Sequence, residues 1–171
     1  MRHVVFCHGK DSSPRAQKIQ WLMPMARDAG LSVSAPDFGR ESPEERVRQL
    51  LAHVAEQEAE VDLVGSSMGG LISVVCAQRA AIGRLFLMAP AVYMPGYEDL
   101  DYQVATPVNY VVHGWNDTIV PVASVFRFAQ EHKARLIMVD DDHRLGRSRG
   151  ILESSFREFL QQQVSAGHGP A

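Results

Sequence analysis

Six short strand-like runs, most of them apolar, recur along the chain, and helical patterns separate them. A continuous apolar run is typical of a strand that is buried on both faces of a parallel sheet. The predicted strands are residues 4–7, 32–35, 61–64, 84–88, 108–112 and 135–139. Because strands alternate with helices throughout and no repeat is present, the pattern predicts an α/β fold with helices on both faces of a mostly parallel sheet.

Turn and capping residues delimit the helical segments. The first helix should begin near Pro14 and stop before Gly30, and Pro24 inside it should kink or split it, because proline removes a backbone donor. Ser42 and Glu45 form a capping box that opens the second helix, which we interpret as an ordinary covering helix. Further helices are predicted at about residues 68–80, 122–129 and 151–160.

Composition narrows the class of protein. The 171 residues suit one domain, predicted to span residues 1–164, followed by a disordered tail at 165–171. A net charge of -3 argues against general binding to nucleic acid. No segment reaches membrane-spanning length, and the first residues do not resemble a signal peptide. Two cysteines form no disulfide framework, so we expect a cytoplasmic protein without a membrane partner.

The third predicted strand runs into a turn of small residues, Gly65-Ser66-Ser67-Met68-Gly69. This is a G-x-S-x-G pattern with Ser67 at its centre, set between a strand and an apolar helix. In a nucleophile elbow the strand-to-helix turn is strained, and small neighbours let the backbone close while the serine oxygen stays exposed. Geometry therefore requires the two glycines, and the context makes Ser67 the candidate nucleophile.

Ser67 needs a base, because a free serine hydroxyl is a poor nucleophile at neutral pH. His143 is the best candidate, since it follows the last strand among polar residues. Asp117 follows the fifth strand and can accept a hydrogen bond from the imidazole, which fixes its tautomer. The carboxyl ends of parallel strands share one edge of the sheet, so we expect the three side chains to meet there.

An oxyanion hole is also required. The backbone N–H of Met68, directly after the nucleophile, should supply one donor, and the turn after the first strand should supply the second from the N–H of Lys10. Trp115 and Arg144 border the expected site, where each could contact substrate or simply pack or be solvated.

Two other kinds of site would use some of the same residues. A Gly-Ser turn at a helix start could cradle a phosphate, but the chain lacks both G-x-G-x-x-G and the spacing of a Walker lysine. His8, His113 and His143 follow neighbouring strands and could bind a metal. Histidines in His-Gly turns more often hold loops through hydrogen bonds, so we predict no metal and no cofactor.

The acidic run at residues 140–142 is predicted to be a solvated loop. One of its carboxylates could replace Asp117 as the acid, although a residue adjacent to His143 would approach its Nδ1 atom awkwardly. Cys7 is expected to be a small buried apolar residue rather than a second nucleophile.

These pieces together resemble the α/β-hydrolase superfamily. The His8-Gly9-x-x-Ser12-Ser13-Pro14 segment, with Lys18 beyond it, resembles the small lidless bacterial esterases of that superfamily. The likeness spans about residues 4–160 and is carried by four segments: the strand into His8-Gly9, the turn around Ser67, His113-Gly114-x-x-Asp117-x-x-Val120-Pro121, and Asp142-His143. It implies a reduced six-stranded, three-layer α/β/α sandwich with strand order 2-1-3-4-5-6. By the same resemblance, Ser67, Asp117 and His143 form a catalytic triad, with Lys10 and Met68 as oxyanion donors.

The function expected from these residues is hydrolysis of carboxylic esters with small or short acyl groups through an acyl-enzyme. The segment at 89–107 is too short to build a lid domain, so an open site is expected. A thioesterase or amidase would use the same triad, and a non-catalytic binding protein could retain the scaffold. The partner expected is a small ester, with no nucleic acid.

Overall fold

A computed structural model describes residues 1–97, 102–106 and 108–162. The strands are β1 (Arg2–Cys7), β2 (Ser32–Ser34), β3 (Glu60–Ser66), β4 (Arg84–Met88), β5 (Val108–Gly114) and β6 (Arg135–Val139). The helices are α1 (Gln17–Asp28), α2 (Pro43–Ala55), α3 (Met68–Arg79), α4 (Val122–His132) and α5 (Arg149–Gln161). The tail predicted at 165–171 lies outside the described residues.

All six strands are parallel and form one sheet in the order β2-β1-β3-β4-β5-β6. Successive side chains of a strand point to opposite faces, and β1 shows this clearly. Val5 and Cys7 join the core beneath α2, α3 and α4, whereas Val4 and Phe6 join the core beneath α1 and α5. Helices therefore cover both faces, and the predicted three-layer fold and strand order are confirmed.

The strand register aligns the carboxyl ends of the strands. Cys7 pairs with Gly65, Ser66 with Met88, and Gly114 with Val139. The loops that follow β1, β3, β5 and β6 therefore leave the sheet along one edge. This alignment brings the predicted site residues to the same edge of the sheet.

Two local predictions differ from the structure. Pro14 precedes α1 in a turn in which the Ala16 N–H donates to the Ser13 carbonyl at 3.0 Å, so α1 begins later than predicted. The helix then continues through Pro24 to Asp28, and the prediction that Pro24 would split it is wrong. Proline removes a single backbone donor, and apolar residues buried on both sides of it hold the turns against the sheet.

A buried ion pair lies at the other end of the sheet. Arg84 Nη2 contacts Asp62 Oδ2 at 2.5 Å, and both side chains are almost completely buried. The same guanidinium donates to the carbonyl oxygens of Phe159 and Gln162, at 2.6 and 2.7 Å, and so fastens the end of α5 to the sheet. None of the described helices is both long enough and apolar enough to cross a membrane.

Candidate active site

Ser67 occupies the strained turn between β3 and α3. Its backbone has φ 54° and ψ -116°, in a region that non-glycine residues rarely adopt. The Ser67 N–H donates to the Met88 carbonyl, and the Ser67 carbonyl accepts from the N–H groups of Gly70 and Ala91, at 2.9 to 3.0 Å. The Leu71 N–H also donates to this carbonyl, at 3.1 Å, so backbone hydrogen bonds on both sides of Ser67 hold its conformation in place.

The glycines on either side of Ser67 are places of close backbone approach. A Cβ on Gly69 would lie 1.9 Å from the carbonyl oxygen of Cys7, and one on Gly65 would lie 2.5 Å from the carbonyl oxygen of Gly69. Both clashes are with backbone atoms, which cannot rotate away. The elbow thus sits directly against the end of β1, which agrees with the expectation that both positions require glycine.

The structure brings Ser67, His143 and Asp117 together in one chain of hydrogen bonds. Ser67 Oγ lies 2.9 Å from His143 Nε2, and His143 Nδ1 lies 2.7 Å from Asp117 Oδ2. An ionised carboxylate only accepts hydrogen bonds, so Nδ1 carries the proton and Nε2 is free to accept from the serine hydroxyl. The imidazole is 16% exposed, whereas the Asp117 side chain is completely buried.

Asp117 is positioned by its own loop. Its Oδ1 atom accepts hydrogen bonds from the N–H groups of Ile119 and Val120, both at 2.8 Å. His113, fully buried beside it, has Nε2 3.2 Å from the Val120 carbonyl and 3.7 Å from Asp117 Oδ2. Burial lowers the pKa of His113, so the imidazole is neutral and donates from Nε2 to that carbonyl. Its Nδ1 has no hydrogen-bond partner among the described residues.

His8, another of the three histidines that follow neighbouring strands, also holds a loop through hydrogen bonds. His8 Nδ1 lies 2.9 Å from the Gly9 carbonyl, and its Nε2 accepts from the Phe38 N–H at 3.0 Å. Within the part of the chain that the structure describes, no group of three or more histidine, cysteine or acidic residues could hold a metal ion.

Arg46 of α2 supports the loop that carries Lys10, a role that the sequence analysis missed. Its guanidinium is fully buried and donates to the carbonyl oxygens of Gly9, Gly39 and Glu41, at 3.2, 2.8 and 3.1 Å. Helix α2 is therefore more than a covering helix. A signal was present, because Arg46 precedes the buried Leu50 by four residues and so lies on the apolar face of the helix.

Asp141 corrects the prediction of a solvated acidic loop. Its side chain is buried, and it accepts hydrogen bonds from the Ser148 hydroxyl and from the N–H groups of Asp142 and Arg147, all at 2.8 Å. Burial alone would favour the neutral acid, but these hydrogen bonds outweigh it and lower the pKa of the carboxyl. Asp141 thus holds the loop that presents His143, and no local pattern distinguishes it from Asp140 and Asp142 as the aspartate that turns inward.

An open cleft of about 390 Å³ lies in front of Ser67 and His143. The loop after β1, the start of α1 and Arg144 line it, and the expected oxyanion donor Lys10 is among these residues. Met68, the other expected donor, follows Ser67 as the first residue of α3. Trp115 is not among the lining residues; it is 54% exposed, and its ring lies 6.1 Å from that of Phe126.

The sheet order, the strained serine turn and the placement of Asp117 and His143 after later strands define the α/β-hydrolase class. A solved structure assigned to this superfamily, from Xanthomonas campestris pv. campestris, is 32% identical, with a TM-score of 0.85 over 93% of this chain and 98% of that one. The resemblance to the α/β-hydrolase superfamily is therefore confirmed. Residues 3–145 match the family model described as "Uncharacterised protein family (UPF0227)", and the chain belongs to that family.

Two more distant structures share the fold. Est1E from Butyrivibrio proteoclasticus is 16% identical, with a TM-score of 0.80 over 93% of this chain and 86% of that one. A second Xanthomonas campestris protein, described as an α/β serine hydrolase without a lid, is 20% identical, with a TM-score of 0.76 over 95% of this chain and 84% of that one. None of the curated proteins matches this chain significantly.

Proposed function

We propose that the protein is a serine hydrolase that cleaves carboxylic esters with small or short acyl groups. The observation that carries this proposal is the continuous hydrogen-bond chain from Ser67 through His143 to Asp117, which opens onto a cleft. A serine that was merely solvated would need neither a strained backbone nor a buried carboxylate bonded to its histidine partner. Together they produce the activated nucleophile that acyl transfer requires.

In the first half of the reaction, Ser67 Oγ attacks the acyl carbon while its proton passes to His143 Nε2. Asp117 stabilises the imidazolium through the hydrogen bond at Nδ1. The negative charge that develops on the carbonyl oxygen is stabilised by the backbone N–H groups of Lys10 and Met68, for which no hydrogen bond occurs within the described residues. When the intermediate collapses, His143 returns the proton to the departing alcohol.

In the second half, water attacks the acyl-enzyme. His143 removes a proton from the water, and the resulting tetrahedral intermediate releases the carboxylic acid and restores the Ser67 hydroxyl. Every group in this cycle is a side chain or backbone amide of the protein, so the mechanism needs no cofactor. The open cleft, together with the segment at 89–107 that is too short for a lid domain, favours a small acyl group.

Covalent labelling with a fluorophosphonate probe tests the nucleophile. We expect the wild-type protein to be labelled, Ser67→Ala to be inert, and the adjacent Ser66→Ala to retain labelling, because Ser66 lies within β3 and it is the Ser67 hydroxyl that contacts His143 Nε2. Labelling that persists in Ser67→Ala would assign the nucleophile elsewhere. An unlabelled wild-type protein would favour a binding protein on a hydrolase scaffold.

Ester, thioester and amide substrates of equal acyl length then test the bond that is cleaved. We expect kcat/KM to be highest for the ester and to fall as the acyl chain grows beyond what the cleft holds. A preference for the thioester, the amide or a long acyl chain would overturn that part of the proposal while leaving the role of Ser67 intact.

A further inference from the structure

The side chains around the cleft carry the opposite charge to the protein as a whole. The chain has 17 basic and 20 acidic side chains, which give a net charge of -3. Among the described residues that line the cleft, however, three are cationic, Lys10, Lys18 and Arg144, and one carries a carboxylate, Asp11. A local excess of positive charge at a cleft attracts anions and orients them, and the effect is stronger where the walls exclude water.

Lys18 is the most constrained of the three cations. It lies in the first turn of α1, and its ammonium donates to the carbonyl oxygen of Arg144 at 2.9 Å, one residue after His143. Within the described ranges, no carboxylate approaches its Nζ atom to 4 Å, so its hydrogen-bond partner is neutral. Burial lowers the pKa of this ammonium, and the carboxylates of Asp142 and Asp141 only partly oppose the effect.

Few aliphatic side chains line the cleft in the part of the chain that the structure describes. They are Ala16 and Ile19, and Ile19 is almost completely buried in the core beneath α1. A half-buried ammonium without an anionic partner costs free energy that a bound anion would recover. The structure thus combines a nucleophile, a cationic wall and an incompletely paired lysine in one cleft.

We propose that the cleft binds an anionic group of the substrate, a carboxylate or a phosphate, against Lys18, with Lys10 and Arg144 beside it. The inference rests on the proposed function and narrows its substrate class to esters that carry a negative charge close to the scissile carbonyl. The charge belongs either to the acyl group or to the alcohol. These two sources share the same recognition chemistry, and paired substrates separate them.

The test compares charged esters with neutral esters of the same shape. Monomethyl succinate and methyl 4-methylpentanoate differ at the acyl end, and 3-acetoxybenzoate and 3-isopropylphenyl acetate differ at the alcohol end. We expect the wild-type kcat/KM to favour the charged member of one pair by about 10- to 100-fold, the range of a charge-assisted hydrogen bond. Added salt should reduce this preference, because it screens the charges.

Three variants assign the preference to the cleft. Lys18→Met should reduce the ratio of charged to neutral kcat/KM at least about tenfold, and Arg144→Gln should reduce it by a smaller factor because Arg144 is exposed. Lys133→Met, which removes the same charge at the end of α4, should leave the ratio unchanged. The ratio is the readout because loss of the contact between Lys18 and the His143 loop would slow both esters alike.

The outcomes distinguish failure of the anion site from failure of the proposed function. If the neutral ester of each pair is hydrolysed as well as the charged one, or if the ratio survives in both cleft variants, the anion site is refuted while the serine hydrolase stands. If no ester is hydrolysed and Ser67 does not react with fluorophosphonate, the proposed function fails and the inference fails with it.

Discussion

Replacement of Gly69 by alanine should damage the site through backbone geometry alone. The new Cβ would lie 1.9 Å from the carbonyl oxygen of Cys7 and 2.5 Å from its carbonyl carbon, so α3 and β1 must separate by about 1 Å to reach even the shortest contacts that real structures show. β1 is paired with a strand on each side, so the start of α3 has to move. Overpacking of this kind costs about 1–3 kcal/mol in the free energy of unfolding.

The same displacement should reduce reactivity. Met68 immediately precedes Gly69, so its N–H would shift relative to that of Lys10, and a misplacement of about 1 Å can lower a rate about 10²-fold. The assay is the second-order rate constant for fluorophosphonate labelling, measured at urea concentrations where circular dichroism shows the variant to be folded. Gly150→Ala is the matched control, because a Cβ there meets nothing within 4 Å. Unchanged labelling and an unchanged urea midpoint in Gly69→Ala would refute the reasoning.

Three further predictions concern the acid, the buried ion pair and pH. Asp117→Asn should lower kcat for ester hydrolysis by about 10³–10⁴-fold with little loss of stability, because the amide favours the wrong imidazole tautomer. A decrease in the steady-state kcat of less than about tenfold would contradict this. Arg84→Met should lower the free energy of unfolding in urea by about 1–3 kcal/mol, since Asp62 would lose its buried partner and keep only Arg2. An unchanged urea midpoint would be inconsistent with it. Burial lowers the pKa values of His3 and His113 in the folded protein, so on acidification these imidazoles are protonated in the unfolded chain at a higher pH than in the folded one. The free energy of unfolding should therefore fall as the pH drops below 6.5. A constant urea midpoint from pH 7 to 5.5 would exclude this.

The sequence was most informative about the site where candidate catalytic residues follow the ends of predicted strands. Ser67, Asp117 and His143 could be predicted to meet because each lies a few residues after an apolar run, and the ends of parallel strands converge on one edge whatever the details of packing. The strand order was predicted from the resemblance to a known family, because an apolar run does not show which strands lie beside it in the sheet. The strained φ of Ser67 was expected from the G-x-S-x-G pattern, which has a local geometric cause.

Long-range support of the site was harder to predict. Arg46 reaches carbonyl groups of the loops after β1 and β2, and Asp141 bonds to Ser148 seven residues later. The periodicity of α2 places Arg46 on the apolar face, but the hydrogen-bond partners of Arg46 and Asp141 do not follow from local sequence, because charged residues are normally solvated and the folded surroundings supply their partners. Pro24 failed as a helix breaker for the related reason that tertiary packing outweighed one lost hydrogen bond.

The central claim is that an acyl group is carried by Ser67, and rapid-quench mass spectrometry tests it most directly. The protein is mixed with a 4-nitrophenyl ester of a short acid, quenched in acid within one turnover, and digested. We predict a mass increase equal to the acyl group on the peptide that contains Ser67, formed together with a stoichiometric burst of nitrophenol, and absent from Ser67→Ala. Turnover without this adduct, or an adduct on another residue, would contradict the account.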